Sequence, residues 1–239
     1  MSNFFYDDDY LAHYGVLGMK WGVRKDGRPQ GYQGNASKNK PRTKKPGYRT
    51  PKDGSISIDK GHTLYRVFDK KAGRSSGVDG SNYFSFTESD KHSYRAMLGA
   101  GATSRFKFIR KMASDSVSTM IAKEPISAPS RSTQLNILND SRNSIGLKPV
   151  KASKMSIVVN DFFISNKHEK QKEVFVSKLK EAGFNAVRDG WDTELGLADH
   201  PIIVLDGGKS LRLIEARDIN EYDLKESKEF VKNTIKNKN

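Results

Sequence analysis

Between Lys20 and Lys52 the chain carries eleven Lys/Arg and a single acid, Asp26. A stretch so charged, and interrupted by Gly and Pro, cannot bury enough apolar surface to offset the entropy of ordering it, so residues 26–58 read as a disordered basic linker. The core must then be built from the residues C-terminal to it. Hydrophobic content is 35%, below the roughly 45–50% of a globular domain, and mean hydropathy is −0.71, as expected when part of the chain lies outside any core. The sequence therefore divides into residues 1–25, a short linear element; residues 26–58, the linker; and residues 59–239, an α+β domain.

Composition also excludes chemistry. With no cysteine there are no disulfides, Cys-zinc sites or thiol nucleophiles. No apolar run approaches the ~20 residues of a membrane span, and the acidic, aromatic start is unlike a signal peptide, so a soluble protein with no membrane partner is expected. P-loop, G-x-G-x-x-G, H-E-x-x-H and nucleophile-elbow patterns are missing, and "DGGKS" at Asp206–Ser210 reads as a hairpin turn.

Order is expected to begin near Gly61. "HTLYRVFD" alternates Leu64, Arg66 and Phe68 against Tyr65 and Val67, the period of a strand, and "YFSFT" reads as a second. Thr87 with Asp90 three residues on forms a capping-box-like start for a helix. A strand is expected around Phe106 and Phe108, and helices over Val117–Lys123 and Thr133–Asn143. "SIVVNDFFI" fits either a strand or a buried helix. Val174, Phe175 and Leu179 mark a helix over Lys167–Ala182 that Gly183 ends. Three strands, "NAVRD", "PIIVLD" and "SLRLIEA", precede a basic-ended amphipathic helix from Glu221.

The first segment that can carry function is "LAHYGVLGMKWGVRK". Tyr14, Val16, Leu17, Met19 and Trp21 supply apolar area, and Gly15, Gly18 and Gly22 let the backbone turn or approach a surface closely. Such a peptide gains order by docking, on its own domain or on a partner, with Lys20 and Arg24 as flanking charges. His13, with no second ligand nearby, is a polar contact rather than a metal ligand. The string H-x-G-x-x-G-M-K-W-G, formed by His13, Gly15, Gly18, Met19, Lys20, Trp21 and Gly22, resembles a motif near the N-termini of tailed-bacteriophage proteins encoded among head genes. The resemblance implies a protein packaged in or attached to the phage head, and present in the host cytoplasm during assembly or after delivery. Residues 11–25 would contact capsid or another head protein. Residues 26–52 suit packaged DNA, because cationic segments bind polyanions by displacing counterions.

The body carries a second resemblance. "LYR" on a first strand, an aromatic-S-x-[ST] strand and a late acid before "IIVL" follow the order of arginine-type ADP-ribosyltransferases. That likeness implies an ADP-ribosyltransferase-like β-sheet core with flanking helices, NAD as cofactor and a host protein as substrate. Arg66 would hold NAD phosphate, and Ser85 and Thr87 would scaffold the pocket; Tyr83 would stack in the histidine-type branch of the same family, beside His62. The catalytic acid would come from Asp192, Glu194 or Asp199, with Asp189 also at hand. Asp199-His200-Pro201 stands where the family has E-x-E, and a carboxylate shorter by a methylene misplaces a transition-state contact by about 1 Å, on the order of 10²-fold in rate. Either the acid has been replaced or the fold is used without the reaction. The alternative is a non-enzymatic minor head or cargo protein that binds capsid protein or DNA. His62 fits the histidine-type branch of the same family less well.

Overall fold

The computed structural model describes residues 45–71, 73–77, 79–99, 114–164 and 168–236, all within the unit Lys45–Asn239. The docking peptide, residues 26–44 and the strand expected at Phe106 and Phe108 lie outside the described residues.

Order begins earlier than Gly61. Strands β1 (Tyr48–Arg49) and β2 (Ile56–Ile58) pair antiparallel, and β2 pairs in turn with β6 (Ile126–Ala128). Ile56 and Ile58 are fully buried, so Lys45–Ile58, placed in the linker by composition, belongs to the folded body. Two isoleucines among Lys, Pro and Gly carry too little periodic signal to reveal a strand whose stability comes from a partner about 70 residues away.

The longest sheet centres on β5 (Ser116–Ala122), flanked antiparallel by β3 (Thr63–Phe68) and β9 (Leu211–Asp218). The helix expected over Val117–Lys123 is therefore a strand. Its β-branched Val117, Thr119 and Ile121 are costly in a helix and comfortable on a pleat, and pairing on both sides satisfies the backbone. Thr119 pairs Glu215 while Met120 pairs Leu213, which leaves Ile214 as a bulge on β9.

In the third sheet β8 (Ile202–Val204) lies between β4 (Asn82–Phe84) and β7 (Ala186–Arg188), antiparallel to both. Tyr65 and Ser85 exchange N–H···O bonds of 2.8 Å, joining β3 to the end of β4. Asn185 ties the sheet of β6 to that of β7, its Oδ1 accepting from the Ser127 N–H at 2.8 Å. All three sheets are small and antiparallel, and with seven α-helices they make a mixed α and β body among the described residues.

Residues alternate across β8 between two cores. Ile202 and Val204 join Ile56, Ile58, Leu64, Phe84 and Met120 on one face. Ile203, with Val187, meets Leu138, Val159, Phe162, Phe175 and Leu179 on the other. Burial on both faces is why "PIIVL" reads as an unbroken apolar run. The second core is roofed by α2 (Arg131–Asn143), α3 (Met155–Ile164) and α4 (Glu169–Glu181). The ambiguous "SIVVNDFFI" is helix α3, burying Met155, Val159 and Phe162 at helical spacing. At Gly183, φ of +84° ends α4 in the left-handed region.

Helix α1 (Glu88–Leu98) starts as its sequence indicates, with the Thr87 side chain accepting from the Asp90 N–H. Helix α7 (Glu221–Lys236) packs against it: Arg217 donates to both Asp223 oxygens, Arg95 lies 3.4 Å from Asp223, and His92 stacks on Phe230 at 4.3 Å. Between β8 and β9, Gly207–Ser210 is a short helical turn, α6, capped by the Asp206 side chain. It is not the expected hairpin turn, since the strands it joins lie in different sheets.

Candidate functional site

Arg66 is the charged residue of β3 that the fold buries, at 8% exposure. No carboxylate receives it among the described residues. Its Nε donates to the Ser75 carbonyl at 3.3 Å and Nη1 to the Tyr83 carbonyl at 3.1 Å, and the guanidinium lies 5.9 Å from the Phe84 ring centre. Burial, and then neighbouring Arg74, pushes its pKa down to about 10. The segment over it is held by Ser118 Oγ, which donates to the Ser76 carbonyl at 2.7 Å. Gly77 permits that approach: φ is +108°, and a Cβ would stand 2.7 Å from Phe84 and 2.9 Å from Arg66.

A second cluster forms where α1 meets α5 (Gly190–Glu194). Asp189 caps α5, accepting from the Trp191 N–H at 3.0 Å, and is completely buried. Asp192 is 4% exposed and accepts from the Tyr94 hydroxyl at 2.5 Å. Burial, and then the charge of Asp192, pushes the Asp189 carboxyl up to about 8; burial also raises Asp192, against the opposing hydrogen bond from Tyr94. Asp189 Oδ2 and the Tyr83 hydroxyl are buried without a hydrogen-bond partner among the described residues. Burial, and then the nearby charges of Asp189 and Asp192, raises Tyr83 above its ordinary value. This arrangement can hold a proton near neutral pH.

The remaining sequence-selected residues fall elsewhere. Ser85 pairs with Tyr65, one residue from Arg66, so by strand alternation Ser85 and Arg66 face opposite sides. Thr87 is the α1 cap and lines a cleft of about 360 Å³ with Tyr48, His62, Tyr65, Phe86 and Glu88. His62 Nε2 contacts the Phe86 carbonyl at 2.8 Å, and Tyr83 does not line that cleft. Glu194 accepts from Ser156 Oγ at 2.8 Å and lies 3.6 Å from Arg131. Asp199 is exposed, and its N–H, with that of His200, donates to the buried carboxylate of Asp90.

The fold thus brings Arg66 to the backbone of Tyr83, and Tyr83 near Asp189 and Asp192. It sets Ser85 on the face opposite Arg66, Thr87 at the start of α1, and Glu194 and Asp199 at separate places. His13, Gly15, Gly18, Met19, Lys20, Trp21 and Gly22 lie outside the described residues. Tyr94 has no counterpart among the sequence expectations, and Asp90 entered them as part of the helix start alone; their i, i+4 spacing on a capped helix was the available signal, since it places both on one face. Among the described residues no three His, Asp or Glu gather as metal ligands, and no helix is long and apolar enough to cross a membrane.

A family model described as a family of unknown function (DUF7211) matches residues 6–28. No curated protein and no solved structure matches the chain.

Proposed function

We propose that the chain is a virion-associated phage protein, docked to or packaged in the head through residues 11–25, whose body travels as non-enzymatic cargo. The observation that carries this reading is the string from His13 to Gly22, seven specified residues in ten positions. A family match confined to residues 6–28 supports a segment recognised independently of the body. Residues 26–52, with a net charge of +7, contact packaged DNA. The non-enzymatic part is favoured by the separation of Arg66 from Ser85 and by the use of its guanidinium on backbone carbonyls. Purified particles are the test: the full chain sediments with them, and Trp21→Ala or Met19→Ala reduces its copy number at least about tenfold, as loss of a buried anchor does. Equal copies of wild type and both variants would sink the docking reading.

A second reading is mono-ADP-ribosylation of host proteins on an ADP-ribosyltransferase-like core. It is favoured by the approach of Arg66 to Tyr83 and of Tyr83 to the Asp189 and Asp192 pair. NAD would need Ser75–Gly77 to leave Arg66. Labelled NAD with host lysate decides: transfer that Arg66→Ala abolishes supports the reading, and no transfer, or transfer unchanged in that variant, removes it.

A further inference from the structure

Outside these clusters the folded body carries a row of cations held in place by backbone contacts. After α2 the chain turns and runs back along that helix. Arg142 Nε donates to the Lys148 carbonyl at 2.7 Å, Asn139 exchanges bonds of 2.6 and 3.2 Å with the backbone of Val150, and Arg131 reaches the Ala152 carbonyl at 3.5 Å. The returning segment ends in a 3₁₀ turn, Ala152–Lys154, before α3. Lys148, Lys151 and Lys154 are exposed along it, beside exposed Asn143 and Ser153.

Charge and spacing point the same way. From Ser141 to Asn160 there is no acid. Helix α2 contributes Asp140, and Glu194 meets the row at its Arg131 end. Three residues of extended chain separate Lys148 from Lys151 by roughly 10 Å, and three residues of 3₁₀ geometry separate Lys151 from Lys154 by about 6 Å. From either interval neighbouring phosphates of one DNA strand, whose axial rise is about 3.4 Å per nucleotide before the strand's helical path is added, are within reach, because each lysine carries its charge on a flexible four-carbon stem. Amide and hydroxyl donors beside the lysines are the usual complement of phosphate contacts.

We infer that the segment Gly146–Lys154, with Arg131 and Arg142 of α2, is a sequence-independent contact surface for duplex DNA, distinct from the basic residues 26–52. Because its backbone is pinned to α2, its cations bind with less ordering cost than those of an unstructured segment.

The test uses the full chain and a mixed-sequence DNA duplex, with affinity followed against salt by fluorescence anisotropy. In K148E/K151E/K154E the slope of log K against log salt falls by about 2.7, the value for three lost phosphate contacts. The control K225E/K228E/K232E reverses three lysines on α7 and changes net charge equally; its slope moves by less than about 1. Equal slopes in the two variants, an unchanged slope in the first, or binding to anionic lipid vesicles without binding to DNA would each overturn the inference. Should circular dichroism show K148E/K151E/K154E unfolded, K148Q/K151Q/K154Q is read instead, with a loss of slope in the same direction.

Discussion

Tyr94 and Asp192 meet where α1 crosses α5, the tyrosine hydroxyl donating to Oδ2 at 2.5 Å in a site almost closed to solvent. The bond holds the short helix after β7 against the helix after β4. Tyr94→Phe removes the donor but keeps the ring, leaving a buried carboxylate short of a partner. The expected cost is about 1.5–3 kcal/mol, read as a lower urea midpoint with unchanged slope. An unaltered midpoint would show that the bond contributes nothing net.

Asp189 gives the body a pH dependence. Its folded pKa of about 8 lies above the ordinary 3.8, so the folded state holds a proton that the unfolded state releases. The stability this group supplies is complete below about pH 4 and is lost as pH rises through about 8. His92, whose pKa burial lowers, acts with the opposite sign, so the comparison is between variant and wild type. Asp189→Asn mimics the protonated acid and keeps an oxygen for the Trp191 N–H. It should match wild type at pH 3.5 and exceed it at pH 8.5 by more than about 1.4 kcal/mol, the equivalent of one pKa unit. Parallel stability curves would refute the buried proton.

Asp90 holds the turn before β8 by accepting from two consecutive N–H groups, those of Asp199 and His200. Asp90→Ala strands both and costs about 2–4 kcal/mol. Hydrogen exchange at those two amides should quicken more than at Ile203 in the neighbouring strand; equal acceleration at all three would indicate global destabilisation instead.

Glycine substitutions separate crowding from backbone strain. Gly77 and Gly146 both have positive φ, but a Cβ at Gly77 meets Phe84 and Arg66 whereas at Gly146 nothing lies within 4 Å. Gly146→Ala should cost about 1 kcal/mol, and Gly77→Ala about 1–3 kcal/mol more, as overpacking does. Thermal melts of equal depression would mean that the segment over Arg66 yields freely.

Much of the body was legible where local chemistry and tertiary packing agree. Thr87 caps α1 because its hydroxyl needs only its own next turn, and Gly183 ends α4 because the left-handed conformation is local. The alternation around Arg66 indicated a strand, but periodicity carries no information about what meets the guanidinium. Ser116–Ala122 and Ile56–Ile58 misled because their strand identity is supplied by distant partners. The expected alignment of Arg66, Ser85 and a late acid rested on chain order, which does not say that neighbouring residues on paired strands turn to opposite faces.

From residue identity alone come the concentration of charge between Lys20 and Lys52, the specific peptide around Trp21, the exclusion of thiol chemistry and most helix ends, all properties of composition or of a few consecutive residues. The tertiary structure alone decided that β5 is central, that Arg66 meets carbonyls, that Asp189 and Asp192 are sealed beside Tyr94, and that Lys148, Lys151 and Lys154 stand in a fixed row along α2. Those features depend on contacts between residues far apart in the chain, where burial sets the strength of every charge and no local pattern records the partner.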